Sequence, residues 1–498
     1  MSRVRLRYWA VALGGLAWTM GFTQPGAAYE TNVEATSVLQ IYSVRSPYGT
    51  PILSRQRLTH TLSLEAYRPV LDPLESKVSL AFHARLRLDG DYGVSGSERD
   101  PSALGTFVPG LLVAPVDLSY GYFEARGLLS NNASTRIGRQ IVFDELGFWS
   151  YDGLWVGFAP GGLFELSSYA GYEQRGGVPF LSSSRYESDG VFRGDRTGMA
   201  ANLWPSYLNS TEPAPAWGAT LALTAFPWLR ARADYRRVTQ HDTVVTVPFA
   251  NPAGQLQTYS GNRVSSERIG LALGADIASR ASVDSAWVYD LYRGVNQEHR
   301  VYATYRAAPR LRFTAGYQYR LPLFDADSIF NWFGAKGTVL AQSSASWRVT
   351  ERTSVTVTGG ARWLGVGPRQ FLSDALGAGP DAGVDWLARV ESSYFTSARG
   401  LGAGTAVESG DAGGRFSSDV WYRERFWTER LESNLRVSAG RWQNPLMAQH
   451  GQSSLMYVAG MRVYPGQRPE LGVEWEHVMM QGAAHRFRII ATLSARWP

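Results

Sequence analysis

Residues Lys77–Asp89 read Lys-Val-Ser-Leu-Ala-Phe-His-Ala-Arg-Leu-Arg-Leu-Asp. Val78, Leu80, Phe82, Ala84, Leu86 and Leu88 fall on one side of an extended chain, and Lys77, Ser79, His83, Arg85, Arg87 and Asp89 on the other. Side chains alternate across a β-strand, so this segment builds a sheet with one apolar and one polar surface. At thirteen residues it is about twice the length of an ordinary globular strand. The period returns at Leu229–Thr239, at Leu311–Arg320 and at Arg486–Trp497, each time with arginine on the polar side. A strand that crosses a bilayer needs about 9–11 residues with apolar and polar positions alternating. The pattern predicts an all-β chain: an antiparallel, up-and-down transmembrane barrel.

The connections fit the same reading. Tight turns stand at Phe226-Pro227-Trp228, at 307–310, at 350–352 and at 465–468. Longer polar or glycine-rich segments lie between them, at 91–114, 176–216, 240–266, 321–337, 365–383 and 443–453. Short and long connections in alternation suit a membrane barrel with periplasmic turns and extracellular loops. Counting back from the C-terminus gives about 22 strands, within a range of 18–22. The least regular are 153–158, 402–408 and 416–423, and the first strand is expected from about residue 36. Tyr120, Tyr122, Tyr317, Tyr319, Trp363, Trp421, Tyr422 and Trp497 stand where aromatic girdles would meet the headgroups.

Three arginines (Arg3, Arg5, Arg7) precede an apolar run, Tyr8–Phe22, and then Gln24-Pro25-Gly26-Ala27-Ala28. That order is a secretory signal, so residues 1–28 are expected to be removed and 29–498 to form a single barrel in the bacterial outer membrane. The chain has no cysteine, which excludes disulfides, thiolate metal sites and cysteine nucleophiles. Of its 49 Lys and Arg, 46 remain beyond the leader against 43 acidic residues, too even a balance for a nucleic-acid footprint.

Thr135-Arg136-Ile137-Gly138-Arg139-Gln140-Ile141-Val142, followed by Tyr151-Asp152-Gly153-Leu154-Trp155-Val156-Gly157, resembles the Gly-Arg-Gln strand and following Asp-Gly strand of Gram-negative porins and porin-like outer-membrane channels. Tyr120–Leu128 is similar to the strand before them. The motif-level match covers about 40 residues and the rest is architectural. Such barrels usually end in an aromatic residue, whereas here Trp497 is penultimate to Pro498. Alternation allows either Arg139 with Ile137, or Arg136 with Gly138 and Gln140, to point inward; the family pattern favours Arg139. The resemblance implies a passive channel for small polar solutes or ions.

With polar faces inward, the expected pore lining is Arg85, Arg87, Arg139, Arg230, Arg232, Arg236, Arg312, Arg320, Arg486 and Arg488, joined by Arg300 and Arg306. Rows of guanidinium attract anions, although pairing with cross-strand carboxylates, as Asp234 suggests, would neutralise much of the field. The 176–216 segment is a candidate for an infolded constriction loop through Arg185, Glu187, Asp189, Arg193, Asp195 and Arg196, or else an external loop. The apolar cluster Leu323, Phe324, Ile329, Phe330, Trp332 and Phe333 is unusual for an exposed loop and would also suit a scaffold for a surface complex.

Neither a His-Glu-x-x-His helix nor a Gly-x-Ser-x-Gly elbow is present, and the seven histidines are scattered singly. No catalytic, metal or cofactor site is expected, with a barrel hydrolase as the competing class. Expected partners are outer-membrane lipid and lipopolysaccharide, the barrel-assembly machinery, and small polar or anionic solutes. No nucleic acid and no energy-coupling partner are expected.

Overall fold

Alternating apolar and polar side chains over ten or more residues leave a chain no way to bury its apolar half except as sheet, and the computed structural model is nearly all strand. It describes residues 30–46, 48, 51–67, 78–91, 116–173, 214–250, 256–322, 336–366, 383–411, 413–427, 430–443, 451–464, 469–480 and 485–497. Strands β1 to β8 are Glu30–Arg45, Pro51–Tyr67, Ser79–Asp91, Val116–Gly127, Ala133–Asp144, Gly147–Phe158, Phe164–Glu173 and Ala214–Leu223. Strands β9 to β15 are Leu229–Ala250, Leu256–Ile277, Ala281–Asp290, Val295–Ala308, Leu311–Arg320, Gly337–Arg348 and Thr353–Val366. Strands β16 to β22 are Gly383–Phe395, Arg399–Gly410, Gly413–Phe426, Leu431–Gln443, Gln452–Val463, Glu470–Met480 and His485–Trp497. The described helix amounts to single turns at Leu128–Asn131 and Pro160–Gly162.

Each strand pairs antiparallel with the next, and β1 also pairs with β22 through Val33↔Trp497 to Arg45↔His485. The sheet is therefore a closed 22-strand barrel, and closure leaves no unpaired edge to template aggregation. All three irregular segments are strands, in β6, β17 and β18. Two boundaries differ from the sequence reading. The first strand begins at Glu30, six residues early, because Thr31 to Ala35 find partners on both β2 and β22 or on β2 alone. The 240–266 segment is mostly not loop: β9 and β10 run 22 residues each and pair up to Ala250↔Leu256, accommodating irregularity with register shifts.

Register assigns the faces. Directly opposite residues share a face, and Leu39, Leu493 and Ile489 on β1 and β22 belong to one row system with Leu62, Leu86 and Phe82 on β2 and β3. Carried round the barrel, that face is Leu80, Phe123, Leu154, Leu221, Leu273, Tyr305, Phe313, Trp347, Val390, Leu435 and Val473, all exposed large apolar side chains. The other face carries the charges. A closed barrel with apolar residues turned out and charges turned in is stable only with hydrocarbon around it, so this is a transmembrane barrel of the outer-membrane type. On β16, Trp386 and Tyr394 bracket the outer apolar stretch, eight residues or about 26 Å along the strand. Allowing for strand tilt, that spans most of an apolar band about 25 Å tall. Tyr317, Tyr319, Trp363, Tyr422 and Trp497 lie on this outer face as girdle residues should. Tyr120, Tyr122 and Trp421 do not. Tyr120 and Tyr122 pair opposite Arg85 and His83, and Trp421 lies opposite Gly402 on the charged face.

Candidate functional site

The two segments that carry the family resemblance form β5 and β6, but only half of each belongs to the wall. Pairing of β4 with β5 is recorded from Arg126↔Ser134 to Gly121↔Arg139, and pairing of β6 with β7 from Phe158↔Leu166 to Tyr151↔Glu173. Between those limits Gln140–Ser150 pair only with each other and form a two-stranded ribbon around Glu145 and Leu146. The ribbon tip reaches across to strands far along the sheet. Glu145 forms an ion pair with Arg300 of β12 at 2.7 Å, and its backbone N–H donates to Asp234 of β9 at 3.4 Å. A Cβ built on Gly270 of β10 would rest against Glu145 and Leu146. Asp234, Gly270 and Arg300 all belong to the charged face, so the ribbon lies inside the barrel.

Glycine makes the bend geometrically available. Gly138, Gly153 and Gly171 stand opposite one another on β5, β6 and β7. A Cβ at Gly138 would collide with the Gly121 carbonyl oxygen, at Gly153 with that of Ala170, and at Gly171 with that of Asp152. Gly138 also has φ +129°, which L side chains rarely adopt. Above this row the ribbon turns one face onto the wall. Trp149, Tyr151 and Tyr169 pack with ring centroids 4.3–5.0 Å apart, and Tyr151 is fully buried. The Arg236 guanidinium covers Trp149 at 4.6 Å and pairs with buried Glu173. Gln140 donates to the Gly153 carbonyl at 3.1 Å. The ribbon's other face carries Phe143 and Phe148, 4.9 Å apart and 74% and 64% exposed, turned away from the wall. Between the tip and β11–β13 lies a cavity of about 350 Å³, bordered by Glu145, Val288, Glu298, Arg300, Arg320 and Leu321.

The register puts Arg85, Arg87, Arg230, Arg232, Arg236, Arg300, Arg306, Arg312, Arg320, Arg486 and Arg488 on the charged face. Arg139 is not among them, which corrects the choice suggested by the resemblance. Arg136, Gly138 and Gln140 share the inner face, Arg136 stacking over Trp155 at 4.6 Å and pairing with Glu124 at 2.7 Å. Arg139 sits where β4 and β5 part. Its guanidinium binds both carboxylate oxygens of Asp152, at 2.7 and 2.9 Å, and donates to the Leu118 carbonyl at 3.0 Å. The ladder stops there, so the side chain replaces a missing backbone partner. The constriction candidates Arg185, Glu187, Asp189, Arg193, Asp195 and Arg196 lie outside the described residues, as does the 323–333 apolar cluster.

Most inner arginines are paired. Arg230 binds Asp276 and Asp284, Arg232 binds Asp234, and Arg486 and Arg488 share Glu476. Arg362 holds Asp385 and Glu408, while Glu432 takes Arg423 and Arg425. Arg85, Arg306, Arg312 and Arg320 have no acidic partner among the described residues, and Arg306 and Arg312 stand directly opposite each other. Histidines divide between the faces. His83 lies between Glu65 and Glu124 inside, while His60, His299 and His477 lie on the apolar face, His60 against the Ser37 hydroxyl at 2.8 Å.

No protein-family model matches the chain, and no curated protein sequence matches it. Solved structures similar to it include OccAB4 of Acinetobacter baumannii, at 7% identity and TM-score 0.43, covering 94% of this chain and 98% of that one. OpdQ of Pseudomonas aeruginosa aligns at 8% identity and TM-score 0.42, covering 94% and 99%. The outer membrane protein OpdK of the same organism aligns at 9% identity and TM-score 0.41, with the same coverage.

Proposed function

We propose that the chain is a passive outer-membrane channel for small polar solutes or ions, narrowed on one side by the β5–β6 ribbon. The observation that carries this reading is the segregation of faces in a closed 22-strand sheet: apolar side chains outward, arginine–carboxylate networks inward. A barrel of this size has an interior wider than its own side chains can fill. The ribbon takes up part of that width and leaves Phe143, Phe148 and the cavity beside Arg300 and Arg320 facing the passage.

A modest anion preference follows from inner arginines, Arg85, Arg306, Arg312 and Arg320 among them, that lack carboxylate partners among the described residues; the paired ones present little net field. No energy-coupling partner is needed for diffusion through such a passage.

Planar-bilayer recording under a salt gradient tests the proposal. Steady conductance with a reversal potential on the anion side is expected, moving towards cations in the Arg312→Ser, Arg320→Ser double variant. A folded barrel that passes no current would overturn the channel reading, and a lipid-hydrolysis assay would then take up the enzyme class.

A further inference from the structure

On β17, towards the barrel end that holds the termini, the inward positions are Gly400, Gly402 and Gly404. The register sets them in three rows. Gly400 stands between Phe395 and Arg423, Gly402 between Ser393 and Trp421, and Gly404 between Glu391 and Asp419. Glycine inside a strand marks a place where another group comes close to the backbone. Here that group is aromatic. A Cβ on Gly402 would strike the Trp421 indole, and one on Gly400 would press on both Phe395 and Trp421. The two rings therefore lie against the wall, with centroids 5.4 Å and planes 39° apart. Phe395 is 50% exposed, so the pair keeps a free aromatic surface towards the passage. In the next row Glu391 and Asp419 reach over Gly404 from its two sides. Each is charge-compensated, Glu391 by Arg389 and Asp419 by Arg436 at 3.5 Å, and Arg423 is held by Glu432. Ser393, in the row of Trp421, shares a hydrogen bond of 2.8 Å with the Ser354 hydroxyl.

Resting on the channel reading, we propose that this glycine-floored trough is a binding site for a neutral sugar, a pyranose ring stacked on Trp421 and Phe395 with its hydroxyls on Glu391 and Asp419. A pyranose has an apolar C–H face and a rim of hydroxyls, each both donor and acceptor. The aromatic pair takes the face, and burying it there is favourable. The carboxylates accept from the rim, and their partner arginines donate to it. A flat aromatic solute would stack equally well but would cover the carboxylates and serine hydroxyls without giving them partners, which costs free energy. The ion pairs also leave little net field at the rings to draw an acid or a cation in preference to a neutral solute.

Saturation-transfer NMR on the full-length barrel, in a detergent without a sugar headgroup, tests the site with cellobiose, sorbitol and benzoate as probes. Cellobiose should receive saturation at its ring C–H protons. Sorbitol, which has hydroxyls but no ring face, and benzoate, which has a ring face but no hydroxyls, should each bind at least about tenfold more weakly. Trp421→Ala should weaken cellobiose binding about tenfold, and Trp421→Phe should keep most of it. Gly402→Ala retains both rings but pushes the indole off the wall, and should also weaken binding. Heat-modifiable mobility confirms that each variant is a folded barrel. Parent-level cellobiose binding in folded Trp421→Ala overturns the proposal, as does sorbitol or benzoate binding as tightly as cellobiose. Ion current is recorded separately in sugar-free solution. A barrel that conducts but shows no transfer to cellobiose overturns this site and leaves the channel reading standing, whereas sugar binding without current supports the site and overturns the channel reading.

Discussion

The two sides of the barrel interior use the same residue types to different effect. Along β6–β11 the inner face is two layers deep: the ribbon covers the wall, and Tyr151, Tyr169, Glu173, Asp234, Arg236 and Arg268 are buried. Along β14–β18 the described wall carries Ser344, Ser346, Thr356, Thr358, Arg389 and Glu391 within reach of water, with Asp385, buried against Arg362 near the start of β16, as an exception. There the inner row of β17 is Gly400, Gly402 and Gly404, and Trp421 lies flat over Gly402, where a Cβ would strike its ring. An arginine–carboxylate pair beneath the ribbon has lost its water, and breaking it strands a charge. An identical pair on the bare wall is screened on both sides. The difference teaches that the energetic weight of an inner ion pair depends on what is laid over it and not on the pair itself.

Removing the ribbon should abolish the asymmetry outright. Replacing residues 141–150 by a two-residue turn is expected to raise single-channel conductance several-fold while the barrel keeps its heat-modifiable mobility. An unchanged conductance would mean that the narrowest point lies elsewhere. Next in size is Arg236→Ala, which leaves Glu173 buried without its partner. It should lower stability by about 3–5 kcal/mol, read from urea-driven unfolding in lipid vesicles. On the outside the two sides present the same apolar surface, so Leu273→Arg on β10 and Val390→Arg on β16 should cost alike, each about 2–4 kcal/mol near the midplane. A large inequality would show that the register of one strand is misplaced. The smallest effect belongs to the bare wall: Arg389→Ala, in an exposed pair with Glu391 at 2.5 Å, should change stability by about 0–1 kcal/mol.

The wall was legible in the sequence because alternation is a local property. Leu86 with Arg87, Ala231 with Arg232, Phe313 with Arg312 and Ile489 with Arg488 each announce their faces within two residues, and the register agrees for all four. The ribbon was harder to see, since its placement depends on contacts such as Glu145 with Arg300 that join residues 155 positions apart. A local signal existed. In Gln140–Tyr151 both faces are apolar, Val142, Trp149 and Tyr151 on one and Ile141, Phe143 and Phe148 on the other. A wall strand with water on one side has no reason for that pattern. The Arg139 assignment failed for a different reason: alternation through Arg136, Gly138 and Gln140 holds, but alternation alone left two faces open and the resemblance selected the other one.

The most direct test of the central claim compares two side chains on the same face of β5. Ile137 and Phe143 are six residues apart and both exposed, but Ile137 belongs to the wall and Phe143 to the ribbon. The chain has no native thiol, so single cysteines at each position report cleanly. With the barrel in bilayers and a charged, membrane-impermeant thiol reagent added, Phe143→Cys should label rapidly and its modification should reduce the current. Ile137→Cys, against hydrocarbon, should stay unlabelled with its current unchanged. Protection of Cys at 143 together with labelling at 137 would place the ribbon outside the passage and contradict the account.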